Sequence, residues 1–356
     1  MTNNGQHVAA YQGWQNTGQE VRDTMDLREQ ACWLLLAFES GLNTRIVNSI
    51  LLLWCKELGR TLDDFFAAEA GEWSATCQLS PEIIEKLEQA RDRLVGQIFL
   101  AEQLQHEQIG MLTVLDSAYP ALLKDALSRS HIPPVLFYAG DLDILKRQAI
   151  AIIGSRSARE DSLAFTRAVA QRLAVGGTNV ISGYARGVDR AAFDGAIGSE
   201  DGHTTVVLPQ GIRTLSGAQM HALQPQIAAG RVLLLSQFGP DAGWLMSRAM
   251  ERNNVVTGLA QIVIVAESDS KGGTWEGATS ALKHERRVYV RQPGGGKVPV
   301  GNQLLLEKGG LPLPWPVADL DDVLSPLLRA SQNMRAQQEQ KTEQPSQLSL
   351  LSLPEA

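Results

Sequence analysis

Three segments of the chain combine glycine, a cation and, in two cases, a hydroxyl at the point where an apolar run gives way to a helical pattern. IIGSRSARED offers Gly154, Ser155 and Arg156; ISGYARGVDRAAF offers Gly183, Arg186 and Gly187; VAESDSKGGTWEGATSAL offers Lys271, Gly272, Gly273 and Thr274. Glycine lets the main chain approach an anion closely, a helix start presents unsatisfied N–H groups, and an arginine fork matches phosphate oxygens. One such loop is most often only a turn. Three of them predict a phosphate-binding rim. The spacings are not those of a nucleotide-driven enzyme, because GSRSARE lacks G-x-G-x-x-G and no G-x-x-x-x-G-K-[ST] occurs.

Other chemistry-bearing residues read more plainly. His7, His106, His131, His203, His221 and His284 have no mutual spacing suited to a metal. Cys32, Cys55 and Cys77 are odd in number and lack metal-ligand spacing, so they read as reduced core thiols. No metal or cofactor is expected. Asp189 and Asp194 could pair for acid–base work, but Asp189 at a helix start is better explained by the helix dipole. Trp33 and Trp54 read as core. Trp275, beside the lysine–glycine loop, either stacks a base or packs beneath its helix.

These loops need a scaffold that brings them to one edge. From Gln148 onward, AIAIIG, NVIS, TTVVLP, VLLLS, QIVIVAE and RVYVR are short β-branched runs, and helical periodicity fills most intervals between them. Strands apolar on both faces and separated by helices imply a parallel sheet covered on both sides. The expected fold is therefore an extended Rossmann-like, doubly wound parallel sheet over 111–315, in which ligands bind beyond the carboxyl ends of the strands. Before it, 21–110 reads as a small helical domain of the helix-hairpin-helix kind, its helices carried by REQACWLLLAFESG, NTRIVNSILLLWCKELG and SPEIIEKLEQARDRLVGQIFLAEQLQ. The turn ESGLNTR could hold a phosphate or merely connect. Residues 1–20 read as a flexible terminus. Over 316–356 only DLDDVLSPLLRA looks helical, ahead of a Gln/Ser-rich tail too polar to fold alone.

The 356 residues are 44% hydrophobic and 20% charged, which excludes a disordered chain. No run suits a membrane helix and the start lacks a basic and apolar leader, so a cytoplasmic protein is expected. The net charge of −7 conceals an asymmetry: residues 1–147 carry −8, 148–310 carry +4 and the remainder −3. The stretch holding all three loops is the basic one, which keeps a polyanionic partner open.

SAYPALLKDALSRSHIPPVLFYAGDLDIL, IIGSRSA, VISGYARGVDRAAFDGAI, TTVVLPQGI, MERNNVVTGLAQIVIVAESDSKGGTWEGATSAL and VGNQLLLEKGG, in that order, resemble the DNA-processing protein A (DprA/Smf) family. The resemblance implies a non-catalytic Rossmann-like protein that binds and protects single-stranded DNA. It also implies homodimers that hand DNA to the RecA recombinase in DNA-mediated transformation. By position, Arg156, Gly183, Arg186, Arg252 and Lys271 would carry the phosphate contacts, with Gly154, Ser155, Ser182, Gly187, Asn253 and Gly272 to Thr274 completing the site. The chain departs from the family pattern at Phe193, where histidine is usual, and at Asn254, where a second arginine is usual. About forty residues after Trp315 also leave no room for a winged-helix domain.

Two rivals use the same superfold. KGGTWEGATS resembles the loop of nucleotide phosphoribohydrolases, with Glu276 as the carboxylate. It stands one residue early, which turns it by about 100 degrees on a helix. A sensor of a small signalling nucleotide would use the same rim.

Overall fold

Short strands that are apolar on both faces lose water only if helices cover both sides, and the chain satisfies this with one nine-stranded sheet. The computed structural model describes residues 25–295 and 298–343, with side chains to residue 336. The expected flexible start, 1–20, and the end of the tail, 344–356, lie outside them. The strands are β1 (Gly110–Thr113), β2 (Val135–Ala139), β3 (Ala149–Ile153), β4 (Asn179–Ser182), β5 (His203–Val207), β6 (Val232–Ser236), β7 (Ile262–Val265), β8 (Arg287–Pro293) and β9 (Leu311–Trp315). Their spatial order is β1-β2-β6-β5-β4-β3-β7-β8-β9. Strands β3 to β9 pair in parallel, while β1 and β2 add an antiparallel edge.

All six expected strands are present, and three more join them. Strand β1, GMLT, lies at one edge, and VLFYA is its antiparallel partner. Strand β9, LPLPW, carries Pro312 and Pro314, which argue against a strand by composition; it stands at the outer edge, where a missing N–H leaves no ladder bond unmade.

Among the described residues six helices precede the sheet: α1 (Leu27–Leu34), α2 (Thr44–Ile50), α3 (Leu62–Ala67), α4 (Ala70–Cys77), α5 (Pro81–Arg91) and α6 (Leu94–His106), with α1 and α2 continuing as wider π turns to Glu39 and Glu57. The run expected as one helix from Ser80 is two. At the break the Arg93 N–H donates to the Ala90 carbonyl at 2.9 Å, a tighter turn that re-aims the chain, and its guanidinium pairs with Glu39 at 2.9 Å. The ESGLNTR turn closes on itself, since the Asn43 side chain accepts the Ile46 N–H at 3.0 Å at the start of α2. That N–H is therefore spent on the chain.

The remaining helices are α7 (Ala121–Ala126), α8 (Glu160–Val175), α9 (Val188–Ile197), α10 (Gly217–Ala228), α11 (Met246–Gly258), α12 (Gly273–Lys283), α13 (Val300–Glu307) and α14 (Leu320–Glu343). Helices α7, α11, α12 and α13 cover one face of the sheet. On the other, α8, α9 and α14 cover β3, β4, β7 and β9, and α10 with the N-terminal helices covers β2, β5 and β6. Trp33, Trp54 and Phe65 thus share one core with Phe137, Val206 and Leu234, and Phe38 meets Phe137 at 5.6 Å. Burial pushes the Cys32 and Cys55 thiols up to about 12, as inert core thiols require. Helix α14 runs past the expected Ala330 to Glu343. Its apolar start, with Leu324 and Leu327 fully buried, supplies the nucleus from which a polar segment can propagate.

Candidate functional site

After β3 the chain moves to β4 on one side, and it returns much later to add β7 on the other. The helices that follow these two neighbours, α8 and α12, therefore pack on opposite faces and leave a crevice beyond the carboxyl ends, the place where an open parallel sheet binds ligands. Pairing persists just beyond the strands: the Ala266 N–H donates to the Ile153 carbonyl at 3.1 Å and the Ser155 N–H to the Glu267 carbonyl at 2.8 Å. The Val188 N–H, at the start of α9, donates to the Ser155 carbonyl at 3.2 Å. The loop after β3 is thus fastened to both flanking loops.

A hollow of about 260 Å³ lies in this crevice, lined by Gly154, Ser155, Arg156, Lys271 and Gly272 to Thr274, and backed by Met246 to Asn253 of α11. A second, of about 470 Å³, is lined by Gly183, Tyr184, Arg186, Trp244 and again Arg156. Arg156 and Ala185 belong to both. Arg156, Arg186 and Lys271 are exposed, and none has a carboxylate within ion-pair distance among the described residues. Across both hollows four cations face two carboxylates, Asp189 and Asp269.

Glycine geometry makes this convergence possible. Gly187 and Gly272, the residues before α9 and α12, both have φ +89°, and neither helix start is closed by a side chain. A Cβ on Gly187 would sit 2.4 Å from the Ser155 carbonyl oxygen, and one on Gly183 would fall inside the Arg252 guanidinium. The SGYARG segment can therefore lie flat against its neighbours only with glycine at both positions.

Not every expected contact residue faces the hollow with free polar atoms. Arg252 is buried; it donates to the Val207 carbonyl at 2.6 Å and approaches Asp189 at 3.6 Å, so it braces the floor of the hollow. The Ser182 hydroxyl is also buried and donates to the Asp189 carbonyl at 3.2 Å, inside the turn instead of at the rim. Asn253 packs its amide against Gly273, which holds α11 close to α12. Asp189 accepts the N–H groups of Gly183 and Ala185, and burial pushes its carboxyl above the usual range despite them and Arg252. Asp194 pairs with Arg190 at 2.8 Å, so no aspartate dyad forms.

The departures have structural consequences. Phe193 is buried and meets Tyr184 edge-on at 4.7 Å, putting packing where the family pattern has an imidazole. Trp275 packs partly buried on the core beneath α12, with the Lys308 ammonium 6.0 Å from its ring. The tryptophan that lines the second hollow is Trp244, beside Tyr184, with the Arg156 guanidinium 5.8 Å from its ring centre. A tryptophan in a loop between a strand and a helix was the sequence signal for it. Glu276 lines a separate surface hollow with Lys283 and Lys308, on another side of α12.

Behind the rim a buried polar network sets the loop after β7. The Asn302 side chain accepts the Ser268 N–H at 2.8 Å and donates to the carbonyls of Ala266 at 3.2 Å and Arg291 at 2.9 Å. Fully buried Arg291 donates to the Ala266 carbonyl at 3.0 Å, to the Ser162 hydroxyl at 2.6 Å and to Asp161 at 3.1 Å. Glu267 accepts the Ser162 hydroxyl and pairs with Arg159 at 3.4 Å at the start of α8. That helix start is thereby filled by carboxylates from its own protein, and the anion-attracting helix starts are those of α9 and α12. Among the described residues no group of three histidine, cysteine, aspartate or glutamate side chains could hold a metal, and no helix is long and apolar enough to cross a membrane.

The sequence model of the family described as DNA recombination-mediator protein A matches residues 110–312. Protein Smf of Synechocystis is 29% identical over 265 residues, covering 73% of this chain and 64% of its own length. DNA processing protein DprA of Streptococcus pneumoniae is 31% identical over 178 residues, or 50% of this chain and 61% of its own. Among solved structures, DprA from Streptococcus pneumoniae superposes with a TM-score of 0.64 at 23% identity, covering 85% of this chain and 98% of that one, a likeness of fold. DNA processing protein A from Helicobacter pylori, whose structure describes a single-stranded DNA binding mode, superposes with a TM-score of 0.52 at 26% identity, covering 62% and 96%.

Proposed function

The chain belongs to the DNA recombination-mediator protein A family, and on that footing we propose that it binds single-stranded DNA through backbone phosphates at the carboxyl-end rim of its sheet. The observation that carries this reading is Arg156 in the wall common to two adjoining hollows, with Lys271 in one and Arg186 in the other. A polyanion crossing from one hollow to the next would meet cations throughout, whereas a single small anion needs only one. The DNA-binding mode described for the Helicobacter pylori protein supports the same choice of ligand.

Phosphates carry no base identity, so binding should be tolerant of sequence and sensitive to salt. Titrating labelled oligo-dT by fluorescence anisotropy tests this: for Z neutralised phosphates, log K should fall against log salt with slope about −0.7Z. Salt-independent binding, or binding of a mononucleotide in preference to the strand, would overturn it. Catalysis has little support, since Glu276 lines a different hollow, and incubation with nucleoside monophosphates should release no base.

The finer reading is that bound strands are protected and passed to a RecA-type recombinase by a homodimer, in transformation or related DNA processing. The family's description as recombination mediators supports it. The expected results are a dimer mass by light scattering and faster recombinase assembly on single strands.

A further inference from the structure

Four of the eleven large hydrophobic side chains exposed among the described residues fall within seven positions: Trp244 at 46%, Leu245 at 50%, Met246 at 57% and Met250 at 38%. Scattered exposed apolar residues need no explanation, but a contiguous patch marks a surface that meets something. This one runs along the hollows just described. Trp244 lines the second, and Met246 and Met250 line the first.

The backbone beneath the patch is held on the N-terminal side of Trp244. The Gly211 N–H donates to the Ala242 carbonyl at 2.7 Å, the Arg213 N–H donates to the Pro240 carbonyl at 3.1 Å, and the Arg248 guanidinium donates to the Gly243 carbonyl. On the C-terminal side α11 begins at Met246, and its Ala249 N–H donates to the Leu245 carbonyl at 3.0 Å. The tryptophan is thus carried on a braced corner while its side chain is left half in water.

From this placement we propose that the ridge from Trp244 to Met250 is a nucleobase platform, with Trp244 stacking a base of a strand whose phosphate sits on Arg156. This rests on the single-stranded DNA reading and adds to it a reason for preferring a nucleic acid over other polyanions. An aromatic face and polarizable methionines beside unpaired cations suit a ligand that is alternately anionic and aromatic. Tryptophan, methionine and arginine also occur together at protein interfaces; what favours a nucleic acid is that the ridge borders hollows holding Arg156, Arg186 and Lys271, three cations without a carboxylate partner among the described residues, with Arg156 5.8 Å from the Trp244 ring centre.

The test compares two ligands of equal length and charge on the full chain, oligo-dT and a strand of abasic sites, by anisotropy at one salt concentration. The platform should favour oligo-dT by about tenfold, within the range stacking supplies per base. Trp244→Ala should bring the ratio of the two affinities close to one, Trp244→Phe should keep most of the preference, and Met246→Ser should reduce it. Circular dichroism of each variant reports whether it has folded.

Equal binding of the two strands by the unaltered chain, still salt-dependent, would overturn the platform while leaving the phosphate reading in place. Failure to bind either strand would overturn both. An unchanged preference in Trp244→Ala would overturn the proposal, and a loss of dimer mass along with it would assign the ridge to contact between copies of the chain.

Discussion

Arg156 is the residue on which the two hollows depend, because it is the cation present in both. Replacing it with alanine should weaken binding to every strand alike and flatten the salt slope by about 0.7 for each phosphate no longer neutralised; Arg186→Ala should do the same. Anisotropy titrations across salt check both, and an effect confined to one base sequence would contradict the expectation. Asp189 introduces a pH dependence. Its carboxyl is raised by burial, and a phosphate arriving nearby would disfavour its ionised form further, so binding takes up a proton. Affinity should therefore fall as pH rises through that raised range, and Asp189→Asn should flatten the fall on the alkaline side of the usual carboxylate range. The rim cations could be read in the sequence because glycine and a cation stood together at a strand end. The burial of Arg252 and Ser182 could not, since it depends on how the chain folds back upon them: Val207 for one, the first turn of α9 for the other.

The elements that aim these side chains are held by glycine geometry and buried amides. Gly187→Ala would place a side chain at φ +89° against the Ser155 carbonyl, and should cost about 1–3 kcal/mol of stability while loosening the SGYARG turn. Urea melts and strand affinity would report the two effects together. Asn302 links β8, α13 and the loop toward Lys271 through three buried hydrogen bonds. Asn302→Ala should cost about 2–4 kcal/mol, at about 1 kcal/mol for each bond. A melt unchanged within error would show that the network is dispensable. The six central strands were legible because β-branched residues on both faces admit few alternatives. Strand β9 was not, since its prolines are permitted only by an edge position that the local sequence does not encode. Likewise the break between α5 and α6 interrupts a continuous helical pattern for the sake of a contact at Glu39.

At the scale of the molecule, the N-terminal helices and the sheet share a core, with Trp33, Trp54 and Trp73 in the same cluster as Phe137 and Leu234. Unfolding of the intact chain should accordingly be one transition, coincident by tryptophan fluorescence and far-UV circular dichroism. Two separated transitions would show that the helical unit folds independently. Deleting the helices would uncover β2 and β6 and leave an apolar face open to association, seen as aggregation on size exclusion. A salt bridge also crosses the joint, where Arg213 pairs with Glu107 just beyond α6 at 3.0 Å and with Asp241 beyond β6 at 3.0 Å.

Local pattern alone determined the class of fold, the three glycine-and-cation loops and the chemistry they suit, because strand propensity, helix starts and phosphate recognition each depend on a few adjacent residues. Only the tertiary structure decided which of those residues keep free polar atoms at one rim and which are consumed in bracing it. It also moved the exposed aromatic from Trp275 to Trp244. The reason is that a side chain's exposure is set by what packs against it, and in a doubly wound sheet those neighbours come from strands and helices distant in sequence but adjacent at the point where the winding reverses.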